Sequence, residues 1–326
     1  MTSVSLIVPC YNETDSLPVL YEALCGVRKQ LLGEYGFEFI FVNDGSKDST
    51  LDVMKSLAIS DIDVKYISFS RNFGKEAAML AGMDSASGEI VGIIDADMQH
   101  SPALIPEMLS AITAEGYDVA AACRSDREGE AKFKSFLSQS FYKVINAVSE
   151  IEINQSAQDY RFMRRKVVDS ILAMPEHDRF SKGIFTWVGF NVKWFEHENA
   201  ERVAGQTKWS ILSLTRYALD GITAFSSFPL KLPFFFSALS GLTSFALLIA
   251  MIIRAIVYDP MTSGGVFSHY VPTLLLPLAM MFLLGAFVFL ALGVMGIYLG
   301  KVYTEAKGRP KYIISETNLR RINHQQ

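Results

Sequence analysis

The chain has 326 residues, with 30 Lys and Arg against 34 Asp and Glu for a net charge of −4, and 50% of it is hydrophobic. That length holds one large soluble domain plus a further segment, and the near-balanced charge gives no reason to expect a nucleic-acid partner. Three dispersed cysteines, Cys10, Cys25 and Cys123, make neither a disulfide frame nor a zinc site.

The opening MTSVSLIVPCYNETDSLPVL lacks a basic start and a continuous apolar stretch, so no signal peptide is expected. Short apolar runs then alternate with helical stretches: VSLIVP, a helix over 15–33, EFIFVN, a helix over 47–59, VKYISF, a helix over 74–86, EIVGIID, a helix over 102–115, and DVAAA. Strands of this kind separated by helices of about 12 residues predict a mostly parallel sheet covered on both faces, with ligands at the carboxyl ends of the strands. Polar clusters fall at those ends: Tyr11-Asn12-Glu13, Asn43-Asp44-Gly45-Ser46, Arg71 to Lys75, and Asp95-Ala96-Asp97. No GxGxxG follows the first strand and no GxxxxGK[ST] occurs, which argues against the usual dinucleotide and P-loop readings.

Within IIDADMQH, an extended backbone would set Asp95 and Asp97 on one side as paired oxygen ligands for Mg2+ or Mn2+, with ligand phosphates completing the shell; the same pattern also caps ordinary turns. Asp44 lies at the depth of a bound base or ribose, with Ser46 as the expected cap of the following helix. Residues 131–150 space apolar side chains as an amphipathic helix with a basic edge of Lys132, Lys134 and Lys143. Asp159 and Arg161, in SAQDYRFMRR, stand ahead of an apolar helical pattern, where capping or an ion pair is the plain alternative to a functional role. Arg202 precedes the stretch 208–231, which carries Arg216 and Asp220 among aromatics and reads as helices lying in a membrane interface, with Pro229 and Pro233 marking a break.

From Leu232 to Ile253, and again from Tyr270 to Gly300, the chain carries no charge, and a hydrocarbon core needs roughly 20 such residues in helix. Two spans are expected, near 232–256 and 273–299. Lys193, Lys208, Arg216 and Lys231 come before the first, and Lys301, Lys307, Arg309 and Lys311 after the second, so both termini are expected in the cytoplasm.

IVPCYNE, FVNDGSKDST, SFSRNFGKEAAMLAG, IIDADMQHSP, AQDYRFM, RFSKG, ERVAGQTKWS and YLGKVYTEAKGRPKYII together resemble the polyprenyl-phosphate glycosyltransferases of family 2, in the bacterial branch of bactoprenol (undecaprenyl-phosphate) transferases. The resemblance runs from Val4 to about Ile314, and its motifs arrive in order. It implies an α/β fold: a GT-A catalytic domain, Rossmann-like, over 1–207, then interface helices over 208–231, then a membrane domain over 232–326 with two transmembrane helices and a cytoplasmic tail. It implies that Pro9, Tyr11, Glu13 and Asp44 hold the nucleoside and that Asp95 and Asp97 serve metal and diphosphate. Gln99 falls near donor or acceptor, and Lys75 and Arg124 are further phosphate contacts. Asp159 matches the active-site aspartate, although Gln158-Asp159-Tyr160-Arg161 stands where the family commonly has Gly-Asp-Phe-Arg. Arg202, with Lys208, matches the acceptor-phosphate position.

The expected reaction is inverting transfer of one hexose from a UDP-sugar to undecaprenyl phosphate at the inner membrane of a bacterial cell. Glucose is favoured, with N-acetylglucosamine as the alternative and GDP-mannose or a noncatalytic scaffold behind it. Expected partners are membrane lipids, further copies of the chain (the family includes homotetramers), and a separate flippase and extracytoplasmic glycosyltransferase.

Overall fold

The computed structural model describes residues 1–124, 156–177, 179–197, 226–257 and 266–319, with Asn146 and Thr223. The expected helix over 131–150, apart from Asn146, and both Arg202 and Lys208 lie outside the described residues.

In chain order the elements are β1 (Thr2–Cys10), α1 (Ser16–Gln30), β2 (Tyr35–Asn43), α2 (Thr50–Ser60), β3 (Val64–Phe69), α3 (Lys75–Ser85), β4 (Ile90–Ile93), a 3-10 turn (Pro102–Leu104), α4 (Ile105–Thr113), β5 (Val119–Arg124), β6 (Ala157–Arg164), α5 (Arg165–Leu172), α6 (Ser181–Trp187), β7 (Val192–His197), α7 (Phe228–Val257), α8 (Val266–Ala306) and β8 (Ile314–Thr317). The strands form one sheet in the order β7-β5-β6-β4-β1-β2-β3-β8. β1 pairs in parallel with β2 and β4, and β2 with β3, as the alternation predicts, and β5 pairs in parallel with β7, a strand the alternation did not include. Because β2 and β3 lie on one side of β1 and β4 on the other, the strand order reverses between β1 and β4, and sheets of this kind take their ligands outside the carboxyl ends at such a point.

Burial explains the elements. Leu6, Ile7 and Val8 of β1 and Phe39, Ile40 and Phe41 of β2 are fully enclosed, as strands covered on both faces must be. α1 turns Leu17, Leu20, Leu24 and Val27 inward at helical spacing. α3 presses closest: a Cβ at Gly82 would stand 2.2 Å from Ile7 Cγ2, so only glycine lets this helix seat on β1.

Two strands depart from the sequence expectation. β6 is antiparallel to both β4 and β5, where the charges of QDYR had suggested the approach to a helix. β8 comes from the segment expected as a tail of the membrane domain, and it runs antiparallel along β3. It covers what would be an open row of main-chain donors and acceptors. Asn318 locks it: its Oδ1 accepts from Tyr66 N at 2.8 Å, and its Nδ2 donates to Val64 O at 3.0 Å. Tyr312 stacks on Phe69 with ring centroids 5.1 Å apart.

The chain divides into two units, Met1–Ala224 with Gly308–Gln326, and Phe225–Lys307. In the second, α7 begins at Phe228 and continues through Pro233, so the expected break before the first span does not occur. Pro229 sits in the first turn, where an absent N–H costs nothing. Phe236 of α7 stacks on Phe287 of α8 at 4.9 Å. Among the described residues one stretch, Met280–Ala306, is long and apolar enough to cross a membrane, where the sequence suggested two spans.

Candidate active site

The rim at the carboxyl ends gathers the expected clusters. Beyond β1, Asn12 adopts a left-handed backbone (φ 57°) and clasps the loop after β2. Its N–H donates to Ser46 Oγ at 2.9 Å, and its Oδ1 accepts from Lys47 N at 2.8 Å. Glu13 N donates to Thr50 Oγ1 at 2.8 Å. Ser46 therefore ties two loops and does not cap α2. That task falls to Asp48, whose Oδ1 accepts from Thr50 N at 3.1 Å. Pro9 lies in register with Val42, and Tyr11 is half-buried beside them.

Asp44 is buried beneath the loop after β3. Its carboxylate accepts from Phe73 N at 2.7 Å and from Gly74 N at 3.0 Å, so it holds the entry to α3. Burial pushes its pKa up, against the opposing pull of those N–H groups and Arg71. Gly45 makes the approach feasible: its φ is +63°, and a Cβ there would meet the Arg71 carbonyl carbon at 2.3 Å.

The register of β6 assembles the centre. Ile93 of β4 pairs with Arg161 of β6, so continuing that register outward by two residues on each chain sets Asp95 opposite Asp159. Lys75, at the start of α3, reaches between them, with Nζ 2.6 Å from Asp95 Oδ1 and 2.6 Å from Asp159 Oδ2. The buried His100 places Nε2 3.6 Å from Asp95 Oδ2 and stacks on Tyr160 at 5.4 Å. Burial pushes both carboxyls up. Lys75 and His100 outweigh it at Asp95, and Lys75 with Lys182 outweighs burial and Asp95 at Asp159, so both are held below the usual carboxylate range. Burial works against the charge on Lys75, but Asp159 and Asp95 raise its pKa well above that of a free lysine. Asp95, Asp159 and Lys75 are therefore charged at neutral pH.

Backbone extension does not persist through the Asp-x-Asp pair. β4 ends at Ile93, a turn covers Ala96 and Asp97, and Met98 is left-handed (φ 59°). Asp97 Oδ1 accepts from Gln99 N at 3.1 Å, which closes the turn. Both carboxylates stay on the rim, but a turn sets their relation. Among the described residues no group of three or more His, Cys, Asp or Glu side chains stands ready to cage a metal. Two hard oxygen donors still suit Mg2+ or Mn2+, which take one or two carboxylates and leave the other positions to water and substrate phosphates. Arg124 ends β5 on the same rim, its N–H donating to Ser156 O at 3.1 Å.

Two supporting residues, Glu76 and His100, were given no role from the sequence, and a third, Arg161, was read there as a cap or ion pair with Asp159 as the plain alternative to a functional role. Arg161 is buried, with its guanidinium 3.6 Å from the centroid of Phe185 and donating to Gln158 O at 2.6 Å and Asp159 O at 3.4 Å. It fixes the backbone that carries Asp159, and burial lowers its pKa to about 10. Glu76, next to Lys75, accepts from Ser181 N at 3.2 Å and from the Ser181 hydroxyl. That bond joins α3 to α6 and accounts for the serine of RFSKG. His100 was visible in IIDADMQH, but nothing in the spacing tied it to Asp95. A cavity of about 440 Å³, lined by Thr2, Glu89, Thr113, Arg164 and Arg165 among others, lies at the opposite end of the strands. There both guanidinium groups bond main-chain carbonyls.

Comparison with known proteins identifies the family. The family model described as glycosyl transferase family 2 matches residues 5–172. The SfII prophage-derived bactoprenol glucosyl transferase of Shigella flexneri is 40% identical over 316 residues, 97% of this chain and 98% of that protein. The putative glycosyltransferase CsbB of Bacillus subtilis is also 40% identical, over 97% of this chain and 92% of its own length. An uncharacterized glycosyltransferase of Synechocystis is 41% identical, over 96% and 95%. Among solved structures, mannosyl-3-phosphoglycerate synthase from Rubrobacter xylanophilus superposes with a TM-score of 0.49 at 16% identity, covering 68% of this chain and 72% of that one. The chain is an enzyme of glycosyl transferase family 2, on the branch whose members include bactoprenol glucosyl transferases.

Proposed function

We propose that this enzyme transfers a single hexose from a UDP-sugar to undecaprenyl phosphate at the cytoplasmic face of a bacterial inner membrane. The observation that carries the reading is the pairing of Asp95, at the donor crevice, with Asp159, on the acceptor side, across one lysine. The full-length likeness to bactoprenol glucosyl transferases supports the lipid acceptor and favours glucose. UDP-N-acetylglucosamine is the second donor to test, since it differs only in the acetamido group that replaces the 2-hydroxyl and no motif encodes that discrimination.

Pro9, Tyr11, Glu13 and Asp44 would line the nucleoside, with Gln99 and Arg124 toward the sugar and diphosphate. Asp95 and Asp97 would hold Mg2+ or Mn2+, which when bound supplies positive charge to the departing diphosphate. The acceptor is a phosphate monoester whose second pKa is near 6, so it reaches the site largely ionised and needs no strong base. Asp159 would orient it and take any residual proton, and Arg202 with Lys208 would offset its repulsion from the donor. A phosphate oxygen attacks the anomeric carbon and forms the new C–O bond while the bond to UDP breaks, its electron pair leaving with UDP. Attack from the opposite face inverts the anomeric centre.

The membrane part answers a physical need. Drawing a polyprenol tail into water costs about 0.8 kcal/mol per CH2, so the phosphate must be met at the interface. We assign both α7 and α8 as spans: Phe234, Phe235, Leu242 and Phe245 on α7, and Phe282, Phe289 and Leu299 on α8, all stand exposed. The basic flanks support a cytoplasmic position for both termini. Assembly into a homo-oligomer, and a flippase with an extracytoplasmic transferase to consume the product, complete the proposal. Titration calorimetry of UDP-glucose, UDP-N-acetylglucosamine and GDP-mannose with Mn2+ tests the donor. Tighter binding of UDP-glucose is expected, and preference for GDP-mannose would reject the assignment.

A further inference from the structure

We infer that Lys75 is a positioning residue that sets the acceptor-side carboxylate of Asp159 against the donor site, and does not hold the donor diphosphate as its place in the sequence suggests. The inference rests on the reading that Asp159 serves the acceptor and Asp95 the donor.

Its root is fixed on both sides. The preceding Phe73 and Gly74 are bound through their N–H groups to the buried Asp44. The following Glu76 is bound to Ser181. Lys75 therefore leaves a backbone that cannot slide along the rim, and its ammonium meets both carboxylates at 2.6 Å. The two oxygens it bonds stand no farther apart than those two bonds laid end to end. One ammonium thus sets the spacing of the two carboxylates.

An ammonium has three donors, and two are taken by Asp95 and Asp159. A lysine bound in this way acts through its carboxylates. Asp95 has His100 as a second neighbour, so its orientation does not depend on Lys75 alone. Asp159 stands near the start of β6, beyond the last residue paired with β4, where its backbone is clamped by Arg161 but its carboxylate is aimed by the lysine. Removing the lysine should leave the donor crevice intact and release the aim of Asp159.

The test uses the full chain in detergent, with Lys75→Met, Lys75→Gln and Lys75→Arg. Steady-state rates with UDP-glucose and undecaprenyl phosphate are paired with calorimetric binding of UDP and Mn2+. The expected result is a fall in kcat of roughly 100-fold for Met and Gln, the scale of a misplaced reacting group. UDP affinity should stay within about twofold, and Arg, which keeps the charge, should recover at least about tenfold. A purely structural role would not give this split or this rescue. A tenfold or greater loss of UDP affinity with kcat preserved would overturn the inference in favour of a diphosphate contact. So would unchanged kcat in a folded Gln variant. Absence of transfer by the wild-type chain with any donor would instead refute the functional reading on which it rests.

Discussion

Glu76 should make stability fall as pH rises through the acid range, and Glu76→Gln should remove that dependence. The side chain is partly buried between α3 and α6. Burial, then the nearby Asp159, raises its pKa to about 7, against the opposing hydrogen bonds from Ser181 and the charge of Lys75. In the unfolded chain it titrates near 4.5. The folded state thus binds the proton more tightly, so its contribution is complete below pH 4.5, declines between 4.5 and 7, and is gone above 7. At 1.36 kcal/mol per pH unit the full swing is at most about 3 kcal/mol, and residual solvent contact reduces it to about 2 kcal/mol. Gln keeps an acceptor for Ser181 and cannot ionise. Melting wild type and variant side by side at pH 4.5 and pH 8 cancels every other titrating group. The variant should gain about 4–8 °C on wild type between those limits, at about 2–4 °C per kcal/mol for a domain of this size. A constant difference would show that Glu76 titrates normally, and a gain by wild type would show that Lys75 stabilises the ionised form.

Other substitutions follow from single contacts. Gly45→Ala must move the Arg71 backbone, at a cost of about 1–3 kcal/mol by overpacking, and should weaken UDP binding in the same calorimetric assay. Asn318→Ala leaves the Tyr66 N–H without its partner, and chemical denaturation should show a loss of about 1–3 kcal/mol with kcat little changed. Tyr160→Phe loses the hydroxyl bond to Ser101 O but keeps the stack under His100. It should cost about 1 kcal/mol and retain transfer, and a large loss of rate would assign the hydroxyl a part in the chemistry.

The first half of the catalytic unit was legible because its strands are apolar runs separated by helices, and every such strand ends on the same rim. Asp159 was legible as a motif but not as a strand residue. QDYRFM breaks the alternation that reveals strands, because Arg161 is buried although charged, its cost met by Phe185 and two carbonyls. The bond between Lys75 and Asp159 spans 84 residues of sequence, and no periodicity encodes such a contact. β8 was missed for a related reason: a short, half-exposed strand has no signature until an unpaired edge is available to receive it. Ser46 and Asp48 are equally good cap formers by type, and only the fold decides that Ser46 turns to Asn12 while Asp48 holds Thr50. Pro233 misled because a proline near a helix start reads as a break, whereas α7 runs through it.

The decisive measurement is transfer of label from UDP-[14C]glucose to undecaprenyl phosphate by wild type with Mn2+, wild type with EDTA, and Asp159→Asn with Mn2+. Lipid-linked label is expected in the first case, with loss of label in EDTA and its return when Mn2+ is restored, and a deep loss of rate in the variant although it still binds UDP. Equal labelling by wild type and Asp159→Asn, or transfer indifferent to EDTA, would contradict the proposed reaction.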